Sequence, residues 1–451
     1  MKLKPACKPF VLLLCLLTLS ACVAGSNPDY GSKVAQEQAK IAQWSDLDGA
    51  QSITIIGDLI QSDELDSLVE KGLAANPGLA QTLLTLKIRQ AEYRQTQGAR
   101  LPEMSAGFSA LNEEDQEGVY TGTATVSWEL DLWRKVADSS KAASKDVAEQ
   151  QMLYQSARDT LAAEIMTGWL KLTSAKKNIA IEQERIDVLE KTENYTRQRY
   201  RSGLGTLEDL DSARSAVASA RATLEEYKET LAQQQRALAT LLGNPGADIS
   251  MAEEYTHVIV PLADLPQQTL QRRPDLKAAF LAIESAGLNA DVAYKDLLPS
   301  ISLEASLEDI ASTPGSALFT SSVWSLLGQL TAPLFQGGQL KAQARIADLE
   351  TAQAFETYRE TLYTAVQEIE DAMGLERSLG KQQTHIEIAL AAAADTLVQY
   401  QKSYRQGLSD MLDLLTVQTQ TFDLTIQLNT LKYERLANRI TLGLALGIGA
   451  K

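Results

Sequence analysis

The chain has 451 residues, 58 of them Asp or Glu and 42 Lys or Arg, for a formal net charge of −16. So acidic a balance argues against nucleic acid as a partner, because a phosphate backbone is held by a surplus of Lys and Arg. The two histidines, His257 and His385, stand apart, and there is no phosphate loop, dinucleotide fingerprint, nucleophile elbow or zinc-protease helix on which enzymatic chemistry would rest.

The amino terminus reads as an export signal. Lys2, Lys4 and Lys8 precede the apolar run Val11-Leu12-Leu13-Leu14-Cys15-Leu16-Leu17, which is too short to span a bilayer. The segment ends in Leu19-Ser20-Ala21-Cys22, which resembles a bacterial lipobox, in which the cysteine becomes the acylated first residue. Val23 rather than aspartate follows it, which by resemblance to sorted lipoproteins favours the outer membrane. Removal of residues 1–21 takes away three lysines and no acids, leaving 39 basic against 58 acidic residues, a net charge of −19. Of three cysteines only Cys22 then remains, so no disulfide forms within one mature chain.

Residues 22–60 are irregular and read as a linker. Repeat 1 spans residues 61–242: a leading helix, strands at about 102–111 and 121–131, a long helix over 134–202 and a second helix over 206–242. The long stretch has no proline and a single glycine, Gly168, and at about 1.5 Å per residue makes a rod on the order of 100 Å. In the next tract Leu210, Val217, Leu224, Leu231 and Leu238 form one heptad row and Ala213, Ala220, Tyr227, Gln234 and Leu241 another, the pattern of coiled-coil packing. A second irregular segment, 243–272, is punctuated by Asn244-Pro245-Gly246, Pro261 and Pro266.

Repeat 2, residues 273–446, runs through the same order: a helix, strands at about 299–308 and 322–333, a long helix over 338–405 and a helix over 408–446, followed by a tail, 447–451. Its heptad rows are Leu412, Ile426, Tyr433 and Ile440, and Leu408, Leu415, Phe422 and Leu436. The duplication shows residue by residue. Asn76-Pro77-Gly78-Leu79 returns as Arg273-Pro274-Asp275-Leu276, and Tyr200-Arg201-Ser202-Gly203-Leu204 as Tyr404-Arg405-Gln406-Gly407-Leu408. A period near 200 residues indicates a duplicated domain-sized unit rather than a solenoid.

The four strands alternate apolar and polar residues, as in Ala124, Val126, Trp128 and Leu130 against Thr123, Thr125, Ser127 and Glu129. Leu327 falls on the polar face. This period fits a transmembrane barrel and equally a half-buried soluble sheet. The export signal favours the membrane, and there four strands cannot close around a lumen or leave an open edge, so the chain must oligomerise. A dimer or trimer is the minimum, and a wide conduit favours the trimer.

Trp128-Glu129-Leu130-Asp131-Leu132-Trp133, the matching Pro333-Leu334-Phe335-Gln336-Gly337-Gly338 and the segments Tyr200 to Asp211 and Tyr404 to Leu415 resemble those of TolC-type outer-membrane efflux proteins. With the lipobox, the similarity is to the lipoprotein (NodT) branch that serves resistance-nodulation-division pumps, and it covers residues 60–446. The resemblance implies an α+β membrane protein: a long α-helical coiled-coil barrel, a four-stranded contribution to a trimeric transmembrane β-barrel, and an internal two-fold repeat. It implies a homotrimeric passive duct for small molecules, lipid-anchored and spanning the outer membrane with its helical part in the periplasm. Its partners would be a periplasmic adaptor, an inner-membrane pump and the lipid bilayer. No cofactor is implied beyond the diacylglycerol and palmitoyl groups on Cys22. The tips at Gly203-Leu204 and Gly407-Leu408 would meet the adaptor, and Asp413 falls where relatives ring the periplasmic aperture with acids. Thr416 stands where many carry a second aspartate, which leaves the ring single or double. Tyr404 and Arg405 are candidates for holding the gate shut. Asp413 and its repeat mate Asp209 also suit a helix's first turn, Asp209 the more so, and because Tyr200 and Arg201 occupy equivalent places outside the presumed gate, plain packing is the safer account of Tyr404 and Arg405. The irregular segments, by resemblance, wrap the helical cylinder. Two other functions share these features: a duct for secreted polypeptides and a structural periplasmic coiled-coil lipoprotein.

Overall fold

The computed structural model describes residues 29–41, 43–45, 49–247, 249–264 and 266–450; Cys22 and the signal segment lie outside them. The helices are α1 (Tyr30–Ala39), α2 (Asp63–Ala75), α3 (Pro77–Gly98), α4 (Lys135–Arg201), α5 (Leu207–Leu241), α6 (Pro266–Arg272), α7 (Pro274–Lys295), α8 (Gln339–Arg405) and α9 (Met411–Ala445). The strands are β1 (Glu103–Leu111), β2 (Val119–Leu130), β3 (Ser300–Ala311) and β4 (Val323–Thr331).

The duplication is metrically close. Helices α4 and α8 each have 67 residues, and α5 and α9 each have 35. Three elements lie in segments that read as irregular: α1 and a short 3-10 helix, Ile56–Leu59, fall within residues 22–60, and α6 within 243–272. Helix α9 begins at Met411 rather than at residue 408, because Asp410 is extended (φ −85°, ψ 172°) and its side chain accepts the Asp413 N–H, ending the turn there.

The chain divides into two compact units that cut across the repeats. Of the described residues, one holds 29–38, 84–153 and 275–361, and the other those within 39–83, 154–274 and 362–450. Each unit therefore takes corresponding parts of both copies, since neither copy alone can bury its apolar faces.

In the first unit the strands form one antiparallel sheet in the order β1-β2-β3-β4. The two hairpins join through β2 and β3, with Trp128 opposite Leu303 and Val126 opposite Ala305. The register gathers side chains by chemistry. Met104, Val126, Ala305 and Leu326 form a row across one face, next to Ala106, Ala124, Leu307 and Trp324. Ser105, Thr125, Ser306 and Ser325 form a row across the other, and the Ser306 and Ser325 hydroxyls meet at 2.7 Å. Leu327 lies opposite Glu304 on the polar face, as its spacing predicts. Met104, Trp324 and Leu326 are exposed, and β1 and β4 each pair along one side only. In the same unit α1 docks on α8: Tyr30 packs on Phe355 at 5.3 Å between ring centroids, and Gln38 donates to the Tyr358 hydroxyl at 2.7 Å.

The second unit holds the main core. Ile165, Trp169 and Leu170 of α4, Leu238 of α5, Ile369 and Met373 of α8 and Ile440 and Leu442 of α9 are buried together with Leu59 and Ile60. Each such side chain contributes about 1.5–3 kcal/mol by leaving water. Over this core the irregular segments are stitched by backbone hydrogen bonds, Gln51 N to Val260 O at 2.9 Å, Ile259 N to Leu59 O at 3.0 Å and Ile56 N to Gly449 O at 3.0 Å. Side chains fix the same strap. Arg439 donates to the Val258 carbonyl at 2.6 Å while Glu376 accepts from Arg435 and Arg439, both at 2.9 Å. The Tyr255 hydroxyl donates to Asn429 Oδ1 at 2.8 Å, and burial pushes its pKa up to about 12, so it remains a donor. Among the described residues no helix is long and apolar enough to cross a membrane.

Candidate functional site

Two helical hairpins, α4–α5 and α8–α9, reverse direction within the second unit through matching turns. Gly203 and Gly407 have φ of +73° and +74°, a region open to glycine at little cost. In the first turn Gly203 N donates to Tyr200 O at 3.0 Å and Leu204 N to Arg199 O at 2.9 Å; in the second, Gly407 N donates to Tyr404 O at 3.1 Å and Leu408 N to Ser403 O at 2.9 Å. Both are Schellman motifs, which satisfy the last carbonyls of each long helix. The residue after each glycine faces outward: Leu204 is 70% exposed and Leu408 76%. Leu207 and Leu412 are exposed as well, so each tip presents a pair of leucines to solvent. For Leu408 and Leu412 this departs from the heptad rows in which the spacing places them, because Leu408 lies in the turn before α9 begins and on the first turn of α9 Met411, not Leu412, is buried.

The starts of α5 and α9 differ. Thr206 caps α5, and a full capping box forms: Asp209 N donates to Thr206 Oγ1 and Thr206 N donates to the Asp209 carboxylate, both at 3.1 Å. In α9 the cap is Asp410, which accepts the Asp413 N–H at 2.8 Å. Among the described residues the Asp413 carboxylate has no hydrogen-bond or ion-pair partner, and it is exposed.

Tyr404 does not share the fate of its repeat mate. Tyr404 is 4% exposed and Tyr200 42%. The Thr196 hydroxyl donates to the Thr192 carbonyl at 2.9 Å, so the contact of 3.1 Å between the Tyr404 and Thr196 oxygens has Tyr404 as donor. The Tyr195 ring meets the Tyr404 ring edge-on at 5.8 Å, and the Arg199 guanidinium lies 4.9 Å from its centroid. Arg199 also donates to the carbonyls of Tyr404 at 3.3 Å and Leu204 at 3.0 Å, tying one hairpin to the other. The Arg405 side chain is exposed; its carbonyl accepts the Tyr195 hydroxyl at 3.4 Å. Farther up α9, Gln418 donates to Thr192 Oγ1 at 3.1 Å.

The structure thus gathers Tyr404, Arg405, Gly407 and Leu408 at one tip and Gly203 and Leu204 at the other, with Asp413 on the first turn of α9. Thr196, Arg199 and Gln418 complete the seam between the hairpins and were not legible as site residues. The Thr206-x-x-Asp209 spacing is itself a readable capping signature. Among the described residues no group of three or more His, Cys, Asp or Glu is gathered to hold a metal ion.

The family model described as outer membrane efflux protein matches residues 68–244 and again 265–448, once for each copy of the repeat. The chain is 25% identical over 467 residues to the cation efflux system protein CusC of Escherichia coli K12, covering 99% of both chains. It is 25% identical over 400 residues, 86% of each chain, to the probable outer membrane lipoprotein SilC of Salmonella typhimurium. Among solved structures, the outer-membrane channel OprN superposes with a TM-score of 0.84 at 21% identity, over 95% of this chain and 99% of that one.

Proposed function

The chain belongs to the outer membrane efflux protein family, and we propose that it acts as a trimeric, lipid-anchored duct through which small molecules leave the cell without chemistry of its own. Members of the family are efflux channels of the outer membrane, not enzymes, and work with periplasmic adaptors and inner-membrane pumps.

The observation that carries this reading is the sheet. One face is apolar, the other is lined by Ser, Thr and Glu, and β1 and β4 are each paired on one side only. In hydrocarbon the unpaired backbone of an edge strand has no partner, so the edges must meet edges of further copies. Three copies give twelve strands, enough to enclose water, with the serine and threonine rows inward and Met104, Trp324 and Leu326 toward lipid. The exposed leucine pairs of the two hairpin tips suit an apolar helical surface on an adaptor. Asp413, free of the cap that occupies Asp209, would form an acidic ring at the aperture, and Cys22 would carry the acyl chains.

The experiment is drug susceptibility of a deletion strain against dyes, detergents, antibiotics and metal salts, the last because CusC is named for cation efflux. Hypersensitivity restored by the wild-type gene is expected. Full resistance across the panel, with proteins missing from the culture medium, would replace this reading with polypeptide secretion. Absence of conductance by the purified protein in planar bilayers would leave a structural lipoprotein.

A further inference from the structure

Within the second unit a cavity of about 300 Å³ lies between α4, α8 and α9, beside the Tyr404 seam. Its volume is at the lower end of small-molecule sites, and its lining is chemically one-sided. Tyr195 and Tyr404 supply ring surface, and Lys191 and Arg405, both exposed, stand at its rim with no acidic partner among the described residues. No carboxylate lines it. Gln418, also lining it, is 1% exposed, and its side-chain oxygen has no hydrogen-bond donor among the described residues.

The orientation of that amide follows from its neighbours. The Thr192 hydroxyl gives its proton to the Val188 carbonyl at 3.0 Å, so toward Gln418 it can only accept, and Gln418 must turn its nitrogen to it at 3.1 Å. The amide oxygen is left as a buried acceptor without a donor. Leaving such a group unpaired costs about 1–3 kcal/mol, so a site that keeps one is prepared for a donor from outside the chain.

We propose that this cavity binds a small organic anion that carries an O–H or N–H donor. The anionic end meets Lys191 and Arg405, the body lies against Tyr195 and Tyr404, and the donor completes Gln418. Because α4, α8 and α9 all contribute, an occupant favours the packed arrangement of the tips over any in which they part. That consequence rests on the gate reading above; binding itself does not.

The test is titration calorimetry on the purified full-length protein in detergent, with 4-hydroxybenzoate as the probe and benzoate and 4-hydroxybenzyl alcohol as comparisons. Saturable binding of 4-hydroxybenzoate is expected, weakened about tenfold in Gln418→Leu and in Lys191→Gln, and weaker for both comparison compounds. Lys191→Gln changes an exposed side chain, so it reads the site even if Gln418→Leu misfolds. Two results would overturn the proposal: no saturable binding by the wild type, which would make the cavity one filled by water only, or equal affinity in wild type and both variants. Neither bears on efflux in cells, which the susceptibility panel reads separately.

Discussion

The hydroxyls of Tyr404 and Thr196 lie 3.1 Å apart in the seam between the two hairpins, with Thr196 fully buried and Tyr404 nearly so. The bond has no counterpart in the other copy, where Tyr200 is exposed. A single tyrosine, present twice in the sequence, is thus a tie in one place and a surface residue in the other.

Replacing Tyr404 by Phe keeps the ring packing and removes one hydrogen bond, worth about 0.5–1.5 kcal/mol. Thr196 retains its bond to the Thr192 carbonyl, so no further group is orphaned. A small loss of thermal stability and a higher resting conductance in planar bilayers are expected for Tyr404→Phe, with neither change in Tyr200→Phe. Identical behaviour of the two variants would remove Tyr404 from the gate.

The two aspartates one repeat apart should also separate. Asp209 completes a capping box, so Asp209→Ala should cost about 1 kcal/mol of stability and leave conductance unchanged. Asp413 completes none, and Asp413→Asn should alter the block of the reconstituted channel by divalent cations while shifting the unfolding temperature less than Asp209→Ala does. If both variants only destabilise, Asp413 is a helix-end residue and not part of an aperture.

Glu182 of α4 has a fully buried side chain whose two oxygens lack hydrogen-bond partners among the described residues. Burial, partly offset by Arg185 and reinforced by Asp423, holds its pKa above the ordinary 4.5. An acid whose folded pKa is raised binds more protons folded than unfolded between the two values, so its contribution to stability falls as pH rises through that window. Glu182→Gln should therefore be more stable than wild type at neutral pH, with the difference shrinking toward zero below about pH 4.5. Unfolding midpoints across the pH range measure this. A Gln variant less stable than wild type at pH 7 would show that the pairing with Arg185, 3.8 Å from the carboxylate, outweighs the cost of its burial.

Neighbouring residues of β4 test which face meets lipid. Leu326 lies in the apolar row and Ser325 in the polar row. Arginine on a lipid-facing position costs about 2–4 kcal/mol near the bilayer midplane, so Leu326→Arg should reduce the folded protein recovered from outer membranes. Ser325→Arg should assemble normally and lower conductance. Equal recovery of the two would contradict the assignment of the faces.

The sequence by itself determined the elements and their duplication. Period-two alternation, long tracts without proline and paired glycines are local properties, and each copy expresses them alike, down to helices of equal length. It left α1, the 3-10 helix Ile56–Leu59 and α6 unread, because short helices in irregular segments carry too few turns to show a period. Only the tertiary structure decided that β2 pairs with β3, that the compact units cut across the copies, and that Tyr404, Thr196, Arg199 and Gln418 meet. The heptad row through Leu415, Phe422 and Leu436 skips Asn429, which is buried because Tyr255, Ser174 and Asn178 supply its partners. Polar residues such as Asn429 and Gln418 break an apolar pattern for reasons that lie on other helices. A repeat writes the same local chemistry twice, but burial depends on what packs against each copy, and that is fixed by contacts distant in the chain.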